Sequence, residues 1–378
     1  MAPFADDIEL IAQDIRRQPE LIRGAYSALQ TVAADAANVV NAPSRVYLVG
    51  CGDSYDVGWA AQFTWERLLR IPVQALTALT FTRYSVQTAP KDSLVVALSQ
   101  SGRVSRVIEC VRAARHRGIP TISVTGSDRS PLALEGGTCV VTPFPKLGPI
   151  PGTSSYTYNM VLFFELALAL AKAWHRPGES GSIQAQLDRL PEYIERSLDQ
   201  VWPTAVAHAE GTADRRLVHM ALGGGPNLST ARFFARKLFE IPQLAVMCQD
   251  SEEYAHDQYS YVSAGSPVIM CCPPGASERR DDEVLMSLAN LKTGLAVVTD
   301  RTRSLPAGMK ATWRYDLAAG LDEWLSPLVY SLPSQVYSYE IGKRLGGSFY
   351  AFADAAHKKD GDPLIYESVI EEDVRTDS

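Results

Sequence analysis

"SLVVALSQSGRVSRVIECVRAARHRGIPTISVTG", residues 93–126, decides the fold. It opens on an apolar, β-rich run and passes through a turn of small hydroxyls around one glycine. It then continues as a helix with Val104, Val107, Ile108 and Val111 on one face. Gly118 supplies a C′ stop, and "PTISVTG" is the next strand. The same plan precedes it: "VYLV" at 46–49, the turn "GCGDS", a helix from Tyr55 to about Arg70, then a strand in "IPVQAL". Strands alternating with helices make a parallel α/β sheet.

The second half repeats the first. "LVHMALGGGPNLSTARFFARKLFEIPQLAV" (217–246) echoes "VYLVGCGDSYDVGWAAQFTWERLLRIPVQAL" (46–76). The Ile-Pro pair at 71–72 returns at 241–242, "SLVVAL" at 93 returns as "SPVIMC" at 266, and "SVT" at 123–125 returns as "VVT" at 297–299. Those offsets, 170, 173 and 174, signal an internal duplication. The organisation expected is an N-terminal helical segment (1–32), a first α/β domain (33–175), a linker helix (176–204), a second domain (205–345) and a polar C-terminal tail (346–378). The N-terminal helix is read over about 6–30, and "HRPGESGS" (175–182) is the break between the halves.

Composition narrows the function. A net charge of −7 over 378 residues argues against a nucleic-acid partner, although helix N-termini still bind anions without net positive charge. Six cysteines, at 51, 110, 139, 248, 271 and 272, form no CxxC pair. The start "MAPFADDIELIAQDI" is acidic and amphipathic, unlike a signal peptide. The apolar run "MVLFFELALALA" (160–171) is too short to span a bilayer, carries Glu165 and reads as a buried helix. A cytoplasmic protein without membrane contact, metal or cofactor is expected.

The turns exclude several chemistries. "GCGDSYDVG" has Tyr55 where a dinucleotide fingerprint needs its third glycine, and no acidic residue closes "VQALTALT" to hold a ribose. Neither GxxxxGK[ST] nor GxSxG occurs. What remains is a small-anion cradle in which Ser99, Gln100 and Ser101 add donors to the loop amides at a helix N-terminus. A plain helix cap is the alternative, but one hydroxyl is enough for a cap.

"CGDSYDVG", residues 97–133 and the duplicated layout resemble the double sugar isomerase (SIS) domain family, with fructosamine-6-phosphate deglycases and the isomerase half of glucosamine-6-phosphate synthase as similar members. "RRQPELI" resembles the segment that precedes the first SIS domain there. The resemblance implies two tandem SIS domains, each a doubly wound, flavodoxin-like parallel sheet flanked by helices. It also implies a phosphate held by Ser99, Gln100 and Ser101, and a sugar beside Ser54 and Asp53. "PGTSSYTY" (151–158) matches the loop bordering the sugar, which places Gly152, Thr153 and Ser154 nearby.

Catalysis is implied in the second domain. "KLFEIP" holds Glu240, and His256 follows sixteen residues later in "EEYAHDQY", where Glu253 completes an E-x-x-H segment of the deglycase kind. By residue type alone, Glu240 is a carboxylate opposing the dipole at a helix C-terminus, where its repeat equivalent is Arg70. His256 stands among Asp250, Glu252, Glu253 and Asp257, whose charges favour its protonated form. A solvated helix-end carboxylate and a surface histidine are the plain readings of each. In the resemblance, Glu240 carries a proton between C1 and C2, and His256 opens the ring from a neighbouring subunit, which implies a homodimer.

Departures point to the substrate. No Cys stands at position 2 and no glutaminase segment precedes the first domain, so glutamine is not expected as nitrogen source. The last lysine is Lys359, and Glu367 lies near the place of the synthase's Schiff-base lysine. Val104 replaces the hydroxyl residue two positions after the glycine, leaving Arg103 or Ser105 to complete the phosphate shell, and Asp257 replaces a glycine after the histidine. Three functions fit: a deglycase, deaminase or aldose–ketose isomerase; a sugar-phosphate sensor; and a SIS enzyme turned to an unusual or unphosphorylated sugar.

Overall fold

The computed structural model describes residues 8–142, 144–176, 178–346, 349–350 and 370. The tail positions Lys359 and Glu367 lie outside the described residues. Two helices open the chain, α1 (Glu9–Arg16) and α2 (Gln18–Asn38), where a single helix was expected. Pro19 explains the break: it has no N–H to donate to Ile15 O, and the Gln18 side-chain amide donates there instead at 3.1 Å.

The chain divides into two compact units, each assembled from separate segments. Among the described residues, one comprises those within 25–145 and 158–184, with Ile370. Its order is β1 (Val46–Gly50), α3 (Asp53–Leu69), β2 (Val73–Thr77), a helical turn α4 (Ala78–Thr80), β3 (Leu94–Leu98), α5 (Ser105–His116), β4 (Thr121–Thr125), α6 (Pro131–Leu134) and β5 (Thr138–Val141). The strands pair in parallel in the order β2-β1-β3-β4-β5. β1, β3 and β4 are buried throughout, as central strands covered on both faces must be. Val107, Ile108 and Val111 of α5 join that core with Val95, Ala97 and Phe81.

Helix α7 (Ser154–Ala173) contains the apolar run, which is buried as expected. The stretch 176–204, expected as one linker helix, falls on α8 (Ser180–Asp188) and α9 (Leu190–Thr212). α9 belongs to the other unit (residues 1–24, 146–157 and 185–351), where the Ala318 amide donates to Ser197 Oγ at 3.0 Å.

That unit continues with β6 (His219–Gly223), α10 (Leu228–Glu240), β7 (Val246–Gln249), α11 (Ser251–Tyr254), β8 (Pro267–Cys271), α12 (Glu278–Asn290), β9 (Gly294–Asp300), β10 (Trp313–Leu317), α13 (Pro327–Tyr330) and α14 (Leu332–Arg344). Its parallel order is β7-β6-β8-β9-β10, the same topology. The first residues of β1 to β4, at 46, 73, 94 and 121, recur at 219, 246, 267 and 294, each 173 later. The Ile-Pro offset is shorter because residues 243–245 separate that pair from β7, whereas 71–72 adjoin β2 directly. No helix among the described residues is long and apolar enough to cross a membrane.

Candidate functional site: a hydroxyl cradle and a buried ion pair

In the first sheet the chain moves outward in one direction through β2 and in the other through β3. The carboxyl ends of β1 and β3 therefore flank a topological switch point, where doubly wound sheets form a crevice. The turns after those two strands carry Asp53, Ser54 and Ser99–Ser105. The sheet thus brings six of the predicted positions, Asp53, Ser54, Ser99, Gln100, Ser101 and Ser105, to one edge.

Backbone hydrogen bonds fix the cradle. The Ser99 amide donates to Val124 O (3.0 Å), the Gly126 amide to Gln100 O (3.0 Å), the Gly102 amide to Ser99 O (2.9 Å) and the Leu132 amide to Gly102 O (3.0 Å). Gly102 has φ +63°, and a β-carbon there would overlap the Ser130 side chain. Ser101 Oγ turns back to accept the Arg103 amide at 3.3 Å. Ser99 is 2% exposed, and its Oγ, like Gln100 Oε1, is buried with no protein hydrogen-bond partner. A buried polar atom without a partner is uncommon, and this turn holds two.

Val104 is a correction. It was expected within the helix, on one face with Val107, Ile108 and Val111, but it is the N-cap of α5, extended and 37% exposed. Having no hydroxyl, it cannot cap the helix through its side chain, and Ser105 is the first helical residue. On the β1 side, Gly52 (φ +59°) precedes α3. A β-carbon at Gly50 would lie 2.6 Å from the Ser54 carbonyl carbon, so glycine there is what lets strand and helix approach.

The second sheet's unit holds Glu240 and His256. Glu240 is the last residue of α10, and its carbonyl accepts the Tyr350 amide at 2.9 Å. Its Oε2 pairs with Lys237 Nζ one turn earlier. Lys237 is fully buried, with Nζ 4.9 Å from the Phe233 ring centroid. The sequence reading missed this lysine. Its signal was helical periodicity, since Thr230, Phe233, Phe234, Lys237 and Leu238 share the buried side of α10. A buried ammonium needs a counter-charge, so Lys237 fixes where the Glu240 carboxylate stands.

His256 follows α11 and is largely exposed. Its Nε2 lies 3.3 Å from Glu252 Oε1, not on Glu253, which is exposed. Arg280 reaches the same Glu252 through Nη2 at 3.2 Å, and these guanidinium bonds hold the Glu252 carboxyl below its usual range. Among the described residues no three His, Cys, Asp or Glu side chains group as a metal site.

Thr153 and Ser154 are the second correction. The loop was expected with the first domain, yet residues 146–157 belong to the second sheet's unit. Both residues are buried, and both hydroxyls donate to Asp14 Oδ2. Their side chains are therefore committed to the protein.

Residues 40–169 match the family described as SIS domain. That stretch is similar to a SIS domain. Similar curated relatives include the glutamine–fructose-6-phosphate aminotransferase [isomerizing] of Pyrobaculum aerophilum, 26% identical over 336 residues, covering 86% of this chain and 53% of that protein. Its Gloeobacter violaceus counterpart is 27% identical, covering 88% and 56%. The chain thus spans about half the length of the curated relatives it matches. Among solved structures, the C-terminal domain of the Francisella tularensis glucosamine-fructose-6-phosphate aminotransferase superposes with a TM-score of 0.78 at 20% identity, covering 89% of this chain and 96% of that one. A glucosamine-6-phosphate deaminase from Thermotoga maritima gives 0.68 at 19%, covering 90% and 96%. These structural likenesses establish the fold.

Proposed function

We propose that the chain binds a sugar phosphate at the β1/β3 switch point and moves a proton between C1 and C2 of the open-chain sugar. The observation that carries this reading is the buried Ser99 hydroxyl, a donor without a protein partner, set in a turn held rigid by four backbone hydrogen bonds. Ser99, Gln100, Ser101 and Ser105 with the first amides of α5 hold the phosphate, while Asp53 and Ser54 meet the sugar hydroxyls. Neutral donors at a helix N-terminus suit a small dianion without lysine or metal.

Glu240 is the proton carrier. As carboxylate it takes a proton from one of the two carbons, leaving an enediol, and returns it to the other, so the reaction is redox-neutral. Lys237 holds the carboxylate in place. His256 serves the ring oxygen during opening, and its exposure suits donation to the site of a partner in a homodimer. The E-Y-A-H segment favours an amino-sugar phosphate or a sugar–amine conjugate as substrate, with water releasing the amine after the proton shift.

The test is proton NMR in D₂O on fructose 6-phosphate, glucosamine 6-phosphate and fructosamine 6-phosphate. Deuterium entering C1 or C2, lost in Glu240→Gln, supports the reading. Tight binding with no exchange or turnover across the panel would replace the enzyme by a sensor.

A further inference from the structure

We infer that Gly126 and Ser130, which open and close the turn after β4, are positioning residues that aim the cradle at its anion; this rests on the function proposed above. Strands β3 and β4 are parallel neighbours, so the turns that follow them leave the same carboxyl edge side by side. Residues 126–130, "GSDRS", lead from β4 to α6 and flank the cradle on the side away from β1.

Two carbonyls of the cradle point into this neighbour. Gln100 O accepts the Gly126 amide at 3.0 Å, and Gly102 O accepts the Leu132 amide at the same distance. A trans peptide holds its C=O and the following N–H on opposite sides. Turning the Gln100 carbonyl towards β4 therefore turns the Ser101 amide away from it, to the side where β1 and the switch point lie. Turning the Gly102 carbonyl towards α6 likewise turns away the Arg103 amide, which donates to Ser101 Oγ at 3.3 Å. Carbonyl oxygens repel an anion and amide hydrogens attract it, so the bonds that remove the first present the second.

Gly126 is what lets the two turns meet. Its φ is not in the left-handed region, so backbone conformation does not require glycine there. Space does. A β-carbon would lie 2.5 Å from Gln100 Nε2 and 2.9 Å from Gln100 O, too close for either to stay where it is. Any side chain at 126 thus pushes both the Gln100 carboxamide and the peptide that carries the Ser101 amide. The turn cannot retreat to make room, because both its ends are tied. Thr125 O accepts the Thr142 amide at 2.9 Å. Ser130 is 5% exposed, and its Oγ meets Thr125 Oγ1 at 3.1 Å and accepts the Ala133 amide at 3.3 Å, next to the Leu132 amide that holds Gly102.

The test is a double-mutant cycle in the whole chain, read by kinetics on fructose 6-phosphate and by hydrogen exchange. Gly126→Ala should raise KM about tenfold with kcat within about threefold. Gln100→Ala removes the side chain that the new methyl meets, so adding Gly126→Ala to it should raise KM by less than about threefold more. A methyl that merely loosened the fold would cost the same factor in both backgrounds, and that additivity overturns the assignment. Amides of 100–103 should exchange at least about tenfold faster in Gly126→Ala while those of β1 keep their protection. Ser130→Ala, which removes the α6 cap, should raise KM about two- to threefold and carries the test if Gly126→Ala does not fold. Unchanged exchange at 100–103, or faster exchange with KM unmoved, also overturns the assignment. A wild type that neither binds nor turns over the sugar phosphate overturns the function itself, a result readable apart from the exchange data.

Discussion

Gly102→Ala tests the cradle most directly. Gly102 lies in the left-handed region at φ +63°, which costs an alanine about 1–2 kcal/mol. Its new methyl would also overlap Ser130 Cβ and Oγ and lie 2.6 Å from Thr125 Oγ1. Ser130 Oγ meets Thr125 Oγ1 at 3.1 Å and accepts the Ala133 amide at 3.3 Å, so moving it weakens two hydrogen bonds of about 1 kcal/mol each. Alanine restricts the unfolded chain and returns about 0.4–1 kcal/mol. The net loss is about 2–3 kcal/mol, which lowers the urea midpoint by about 1 M. The turn cannot drift freely, because it is bonded on both sides through the Gly102 amide and carbonyl. Binding of fructose 6-phosphate, followed by calorimetry, should weaken at least about tenfold. Ser130→Gly in the same chain should relieve the overlap and leave the backbone strain. A Gly102→Ala protein with the wild-type urea midpoint and wild-type affinity would refute the reasoning.

Three further outcomes are expected. Lys237→Met should slow C1–C2 exchange about a hundredfold with sugar-phosphate affinity within about threefold, whereas an unchanged rate would leave the buried ammonium as packing alone. Ser99→Ala should weaken sugar-phosphate binding about tenfold while leaving unfolding stability unmoved or raised, since its hydroxyl has no protein partner; a stability loss above about 2 kcal/mol would make that hydroxyl structural. The last concerns acid. Burial lowers the His219 imidazole to about 4 and the His208 imidazole well below its ordinary 6.5. The native state then binds fewer protons than the unfolded chain, so stability is full above pH 6.5 and falls towards pH 4 by about 1.4 kcal/mol per pH unit per histidine. Asp281 opposes this, because burial raises its carboxyl to about 7 and its contribution is lost as pH rises towards that value. The readout is therefore the difference between slopes. Between pH 5 and 6.5, His219→Gln should lose one histidine's share, and equal slopes in urea titrations would contradict the assignment.

Much was legible in the chain itself. Apolar runs of strand length, hydroxyl- and glycine-rich turns and a recurrence near 173 residues specified two parallel sheets of one topology, because side-chain periodicity and turn chemistry are local properties. The Ser99–Gly102 turn was readable for the same reason, as was Glu240 at the end of its helix. Tertiary structure decided what those residues touch. Lys237 lies three residues from Glu240, yet only packing against Phe233 removes it from water and makes it a fixed counter-charge. Thr153 and Ser154 look like ligand hydroxyls in sequence, but the fold brings Asp14 to them from about 140 residues away. Donors and acceptors that distant in sequence leave no periodic trace. Their pairing follows from burial, which requires every polar group it encloses to find a partner.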